Sequence, residues 1–234
     1  MAAMSKRFRQ AREKIDSNTR YPLDKSCQLI KELATAGFDE TVEVAVSLNV
    51  NPKYADQMVR GSCVLPNGTG KSVRVAVFAS GEKADQAGEA GADIVGDEEL
   101  AEKIQEGWLD FDVVIASPDM MRIVGKLGRI LGPRGLMPNP KTGTVTEDVA
   151  EAVREAKAGK INFRVDRTGN LHVPVGKSSF EEKALAENIM SFYEKVIQLR
   201  PSSVKGQYMK NISVSSTMGP GIKVDINDLR ARIR

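Results

Sequence analysis

Charge is segregated along this chain, and that limits its architecture more than any other feature. Residues 1–67 carry 10 Lys and Arg against 8 Asp and Glu, and residues 160–234 carry 13 against 7, for a joint charge of +8. Residues 68–159 carry 11 against 16, or −5. Basic ends around an acidic middle predict a discontinuous domain with another inserted into it. The expected domains are 1–67 plus 160–234, and 68–159, with hinges near 66–71 and 158–160. At 234 residues the chain is long enough for both. The basic domain is the part that would face a polyanion.

The middle alternates as parallel α/β units do. Strands are expected at Val73–Ala79, Asp93–Val95 and Asp112–Ala116, with helices at Glu82–Ala90, Glu98–Glu106, Met120–Leu131 and about Asp148 to Lys157, the last capped by Thr146. The apolar runs Val75–Phe78 and Val113–Ala116 suit strands buried on both faces. This predicts a Rossmann-like three-layer α/β domain. Gly132 to Pro140 holds three prolines and must be a rigid loop.

The ends read as an α+β, sandwich-like domain. A short basic helix is expected over Ser5–Ile15, and a second from about Lys25 to Thr35, capped by Asp24 and stopped at Gly37. Phe38–Leu48 alternates as a strand, with Val42, Val44, Val46 and Leu48 inward and Thr41, Glu43, Ala45 and Ser47 outward. Val59–Leu65 is a further strand. Asn162–Arg167 and Leu171–Val175 flank Thr168-Gly169-Asn170 as a hairpin. A helix begins at Ser178 or Ser179 and runs to about Leu199. The last strand starts at Asn211. It turns Ile212, Val214 and Ser216 to one side and Asn211, Ser213, Ser215 and Thr217 to the other, then runs into Met218, Gly219, Pro220 and Gly221.

Several chemistries find no support. The cysteines, Cys27 and Cys63, have no metal-ligand spacing and read as reduced thiols. His172 is the one histidine, so a His-rich metal site is excluded, and it lacks a recognisable acid–base partner. Gly68-Thr-Gly-Lys-Ser72 resembles a phosphate loop but has Leu65 where the pattern needs glycine, and it leads into a strand. No G-x-G-x-x-G opens a helix in the middle domain, so no cofactor is expected. There is no long apolar run and no signal peptide, so the expectation is a soluble cytoplasmic protein with no membrane partner. Aromatic residues make up 5%, too few for stacking to be the main way of binding a ligand.

The outer faces of the strands at 41–47 and 211–217 are the candidate site. They are small, hydroxyl-bearing and light on charge, which suits contact with sugar hydroxyls and backbone. If they lie in one sheet, Glu43 shares a surface with the hydroxyls. A carboxylate beside phosphates needs a donor, and a ribose 2′-OH or a guanine edge supplies one. Nearby Lys and Arg would add salt-dependent attraction. Lys6, Arg7 and Arg9, and in the middle domain Lys126, Arg129, Arg134 and Lys141, are candidate secondary nucleic-acid contacts. The loop carrying the last four reads either as a phosphate contact or as a rigid closure of the sheet.

Four motifs carry a family resemblance: Phe38-Asp-Glu-Thr-Val-Glu43; Val59-Arg-Gly61 with Leu65-Pro66; Gly128-Arg-Ile-Leu-Gly-Pro-Arg-Gly-Leu-Met-Pro-Asn-Pro140; and Ser216-Thr-Met-Gly219. Together they resemble the bacterial large-subunit ribosomal protein L-one family, the mobile-stalk proteins, over essentially the whole chain. The resemblance implies a non-enzymatic, ribosome-bound protein, monomeric off the ribosome. It implies that the basic domain binds large-subunit rRNA near the exit site, that the stalk moves as deacylated tRNA leaves, and that the protein represses its own operon mRNA. It carries RNA contacts onto Phe38, Thr41, Glu43, Ser213, Thr217, Met218 and Gly219; Ser215 joins them from the strand pattern. The chain departs from the family at Gly37, where lysine is common, at Met58 and Asp166, where asparagine is common, and at Ser215-Ser216, where threonines are common.

The reading that follows is RNA recognition by a pre-formed, mostly uncharged sheet face. Its rivals are a hinged α/β enzyme or small-anion-binding protein, and a general nucleic-acid binder.

Overall fold

The structure, a computed structural model, describes residues 5–233. In chain order its regular elements begin with α1 (Lys6–Glu13), α2 (Leu23–Leu33), β1 (Thr41–Leu48) and β2 (Arg60–Val64). There follow β3 (Val75–Phe78), α3 (Glu82–Glu89), β4 (Ile94–Gly96), α4 (Glu98–Gln105), β5 (Val113–Ala116), α5 (Met121–Lys126), α6 (Gly128–Leu131) and α7 (Val149–Lys157). The chain ends with β6 (Lys160–Arg164), β7 (Asn170–Lys177), α8 (Glu182–Gln198), β8 (Met209–Ser216), β9 (Ile222–Lys223) and α9 (Ile226–Ile233). It is a mixed α/β protein of two compact units, Met1–Gly70 with Ile161–Arg234, and Lys71–Lys160. The divisions fall at Gly70/Lys71 and Lys160/Ile161, three residues and one residue beyond the boundaries drawn from charge. Gly70 packs closely against β7 and the turn after it. Its φ is +71°, and a Cβ there would lie 2.7 Å from Lys177 Cγ and 2.9 Å from Phe180 Cε1.

The second unit has three layers. Its parallel sheet runs β4-β3-β5, with β3 buried on both faces. Val75, Val77 and Ile115 pack on Ala87 of α3 and on Val149, Val153 and Ala156 of α7. Ala76, Phe78 and Val114 pack on the opposite side, with Leu100 and Ile104 of α4, Val124 of α5 and Leu131 of α6. Helix 120–131, expected as one piece, is broken at Leu127 into α5 and α6. Asp148, not Thr146, caps α7: its carboxylate accepts the Glu151 amide at 3.0 Å. Thr146 instead accepts the Asp148 amide, one step before the helix.

The first unit is built on an antiparallel sheet ordered β7-β1-β8-β9 and a two-stranded sheet of β2 and β6. The core takes Val42, Val44, Val46 and Leu48 from β1 and Ile212 and Val214 from β8. Against them lie Leu23, Cys27 and Ile30 of α2 and Leu185, Ile189, Phe192 and Val196 of α8. Phe163 of β6 meets Phe192 edge-on, with centroids 5.3 Å apart. This alternation follows from the period-two pattern of the sequence.

Three local expectations are corrected here. Helix α2 starts at Leu23, not Lys25, because its cap comes from far along the chain: the Asp228 carboxylate accepts the Leu23 amide at 2.9 Å. Asp24, freed from capping, takes both guanidinium nitrogens of Arg232 at 3.0 and 2.7 Å. The expected hairpin over 162–175 is not one. β6 pairs with β2 and β7 with β1, so the chain changes sheets at the turn. The Asp166 carboxylate holds that turn by accepting the Thr168 and Asn170 amides and the Thr168 hydroxyl, each at 2.8 Å. The amide of Asn170 and the hydroxyl of Thr168 hold its carboxyl down at about 2. Finally, α8 starts after Glu181, because Ser178 and Ser179 are engaged elsewhere.

Candidate nucleic-acid interface

The register of the four-stranded sheet places the two polar strand faces side by side. β1 and β8 are antiparallel neighbours, pairing Glu43 with Ser215, Ala45 with Ser213 and Ser47 with Asn211. Directly opposed residues project from the same side of a sheet. One continuous face therefore carries Glu43, Ser213, Ser215, Ser47 and Asn211. Glu43 and Asn211 are exposed and the serines are half-buried.

β7 extends this face in a way that simple alternation conceals. Val42 pairs with Gly176, yet Glu43 pairs with Pro174, so Val175 is an extra residue in a bulge. Val175 and Gly176 are both buried. The bulge resets the phase, and Lys177, opposite Thr41, joins Pro174 and His172 on the open side. Lys177 Nζ donates to Thr41 Oγ1 at 2.9 Å. On the far flank Lys223 of β9 pairs with Ser213. The hydroxyl face thus has a lysine on each side. His172, opposite Ala45, is exposed, and its Nε2 lies 3.9 Å from Asp166 Oδ2.

The end of the face is closed by side chains standing in for backbone. Thr217 Oγ1 accepts the Thr41 amide at 3.0 Å and donates to the Thr41 carbonyl at 3.2 Å. The Glu40 carboxylate accepts the Ala36 amide on Oε1 and the Met218 amide on Oε2, each at 2.9 Å. Glu40 is buried. Its own amide donates to Ser178 Oγ, and its carbonyl accepts the Ser178 amide. Asp39 next to it accepts from the Ser178 and Ser179 hydroxyls and from the Ser179 amide. These bonds explain why β1 begins at Thr41 and not at Phe38: Asp39 and Glu40 bond to side chains and turns in place of a neighbouring strand.

Burial alone would push the Glu40 carboxyl up. The Met218 and Ala36 amides, the Ser216 hydroxyl and the Arg7 guanidinium outweigh it and hold the group below the usual glutamate value. Asp39 is held low by the Ser178 and Ser179 hydroxyls, with Lys177 assisting.

Phe38 and Met218 stand at this closed end, 56% and 50% exposed, as large apolar side chains beside a polar face. Gly219 follows. A Cβ at Gly219 would lie 2.5 Å from Ser216 Oγ, so a side chain there would force that hydroxyl to move. The first unit therefore brings together Phe38, Thr41, Glu43, Ser213, Ser215, Thr217, Met218 and Gly219. Among the secondary candidates, Lys6, Arg7 and Arg9 lie exposed on α1, and Arg7 acts on Glu40. Lys126, Arg129, Arg134 and Lys141 belong to the second unit and are exposed there. The end of their loop is fixed by Asn139, whose Oδ1 accepts the Lys141 amide and whose carbonyl accepts the Thr142 hydroxyl.

Sequence reasoning missed Glu40, Asp39, Lys177 and Lys223, and set His172 aside. For Glu40 a signal existed. It lies in phase with Val42, Val44 and Val46, so alternation puts an acid on the inward side. The position of Lys177 depends on the bulge and had no such signal.

The chemistry open to this face is hydrogen bonding to a hydroxyl-rich partner, with flanking cations for a polyanion. A sequence model described as the Ribosomal protein L1p/L10e family matches residues 30–220. A curated relative from Fervidobacterium nodosum, the large ribosomal subunit protein uL1, is 58% identical over 230 residues, which cover 98% of each chain.

Proposed function

Because the chain belongs to the ribosomal protein L1p/L10e family, we propose that it serves in the large ribosomal subunit by holding rRNA on the open face of β1 and β8. The observation that carries this reading is the continuous row of Glu43, Ser215, Ser213, Ser47 and Asn211, closed at one end by the Thr41–Thr217 bonds. The face is set before any RNA arrives, so little ordering is needed on binding. An ionised Glu43 can only accept. A ribose 2′-OH can donate to it, which favours RNA over DNA. Lys177 and Lys223 supply attraction to phosphates on either flank. Phe38 and Met218 give apolar contact where bases or sugars leave the hydroxyl row.

The same reading extends to the finer expectations. The protein is ribosome-bound in the cytoplasm and monomeric when free. The two units hinge at their two crossings, allowing the stalk to move as deacylated tRNA leaves the exit site. The exposed basic residues Lys126, Arg129, Arg134 and Lys141 form a secondary nucleic-acid contact in the inserted domain. A segment of the operon's own mRNA with the fold of the rRNA target would occupy the same face and repress translation.

The test is a titration of the full chain with its large-subunit rRNA fragment and with DNA of the same sequence, over a salt series. The expected result is RNA binding tighter than DNA binding by tenfold or more at every salt concentration. Equal affinities that fall in parallel with salt would leave only general polyanion binding.

A further inference from the structure

We propose that Glu40 is a positioning residue for RNA recognition, its buried carboxylate holding the Phe38 segment and the Met218 segment in one binding-ready arrangement. The proposal rests on the reading above, that this face binds RNA. An acid is at first sight misplaced here. It sits at the edge of a surface that would meet phosphates, and it is 1% exposed, so it pays desolvation as well. The geometry shows what the charge does. Two backbone donors, from segments 182 residues apart in sequence, converge on opposite oxygens of one carboxylate: Ala36 N on Oε1 and Met218 N on Oε2, both at 2.9 Å. Neither segment belongs to a strand at these positions; the Thr217–Thr41 bonds fix the residue before Met218, and Glu40 ties Met218 itself to Ala36.

Glutamate fits this task and its near relatives do not. Glutamine offers one acceptor oxygen, and its NH2 would face the other N–H, donor against donor. Aspartate is one methylene short of reaching both. The Glu40 main chain is itself fixed by Ser178 in both directions, at 3.1 and 2.8 Å, so the carboxylate is aimed and not free to swing. Phe38 lies two residues before Glu40, and Met218 is bonded directly to it. One charged group thus sets both exposed apolar side chains of the face.

The test is the effect of Glu40→Gln on RNA affinity, read in two ways. Removing a negative charge beside a polyanion should by electrostatics alone tighten binding. Loss of positioning should weaken it. The expected result is a specific rRNA Kd raised tenfold or more, with the Kd for unrelated double-stranded RNA unchanged or lower. In a Met218→Ala background the loss on adding Glu40→Gln should shrink, since the side chain it places is gone. A folded Glu40→Gln protein with unchanged or tighter specific binding overturns the proposal, as does full additivity with Met218→Ala. Should the variant fail to fold, hydrogen exchange of the wild-type chain decides. The Ala36 and Met218 amides should be protected to a similar degree in the free protein. A Met218 amide exchanging at the unprotected rate would overturn the proposal. If the wild-type chain itself shows no preference for rRNA, the RNA reading fails and not this assignment alone.

Discussion

Thr217 replaces a strand partner for Thr41: one hydroxyl both accepts the Thr41 amide at 3.0 Å and donates to its carbonyl at 3.2 Å. A neighbouring strand would make the same two bonds with its backbone. The hydroxyl proton is therefore spent inside the protein, and one lone pair remains for a ligand. These bonds give Thr217 a part in shaping the end of the face. Thr217→Ser should keep rRNA affinity within about threefold, while Thr217→Ala should weaken it by roughly 1 kcal/mol or more and lower stability by a similar amount. Denaturant melts and RNA titration check both; equal behaviour of Ser and Ala would remove the role given to the hydroxyl.

Gly219 tests the packing of the same turn. Gly219→Ala should cost RNA affinity, because the new methyl would meet Ser216 Oγ at 2.5 Å and push that hydroxyl from its place beside Glu40. Removing that oxygen in a Gly219→Ala, Ser216→Ala double variant should restore part of the loss. No recovery in the double variant would mean that the clash is not the cause.

Acid should loosen the site before it unfolds the core. The folded Glu40 and Asp39 carboxyls titrate below their usual values. Groups of this kind contribute stability that is complete above the unfolded pKa of about 4 and is lost as pH falls through the folded pKa. Melting temperature should accordingly drop less steeply below pH 4.5 in Glu40→Gln than in the wild type, and the two curves should converge at low pH. Parallel curves over that range would contradict the assignment.

The distant cap on α2 makes a stability prediction remote from the interface. Asp228→Ala frees the Leu23 amide and removes a partner of Arg232. The expected cost is about 1 kcal/mol, most of it recovered by Asp228→Asn, which keeps a capping oxygen. Chemical denaturation measures this, and an unaffected Asp228→Ala protein would show that the cap does not contribute.

Cys27 provides a probe of the first unit's core. Burial, helped by the negative Asp24 and Glu182, pushes its thiol up to about 12. At pH 8 it should resist alkylation in the native protein and react on unfolding. Rapid native labelling, located by mass spectrometry, would show the core around α2 to be open.

Much of this arrangement was legible because it rests on local pattern. Period-two alternation named the inward and outward residues of β1 and β8, and apolar runs marked the doubly buried strand β3 of the inserted unit. What stayed hidden depends on contacts across the chain. Asp228 caps a helix 205 residues away, which no local cap rule can find. The turn at Asp166 has hairpin composition, yet the strands beside it join different sheets. The bulge at Val175 moves Lys177 to the open face, and strict alternation places it on the other side. Glu40 falls between these cases: its phase was visible, and its partners were not.

Glu43 gives the most direct test of whether the face reads RNA by hydrogen bonding. The measurement is the affinity of Glu43→Gln for the large-subunit rRNA fragment, compared with the wild type at matched salt. The account predicts weaker binding, by roughly 1.5 kcal/mol or more for a lost hydrogen bond to a charged group, even though a charge repelling phosphates has been removed. Equal or tighter binding by a folded Glu43→Gln protein would contradict it, because the face would then be meeting RNA through charge alone.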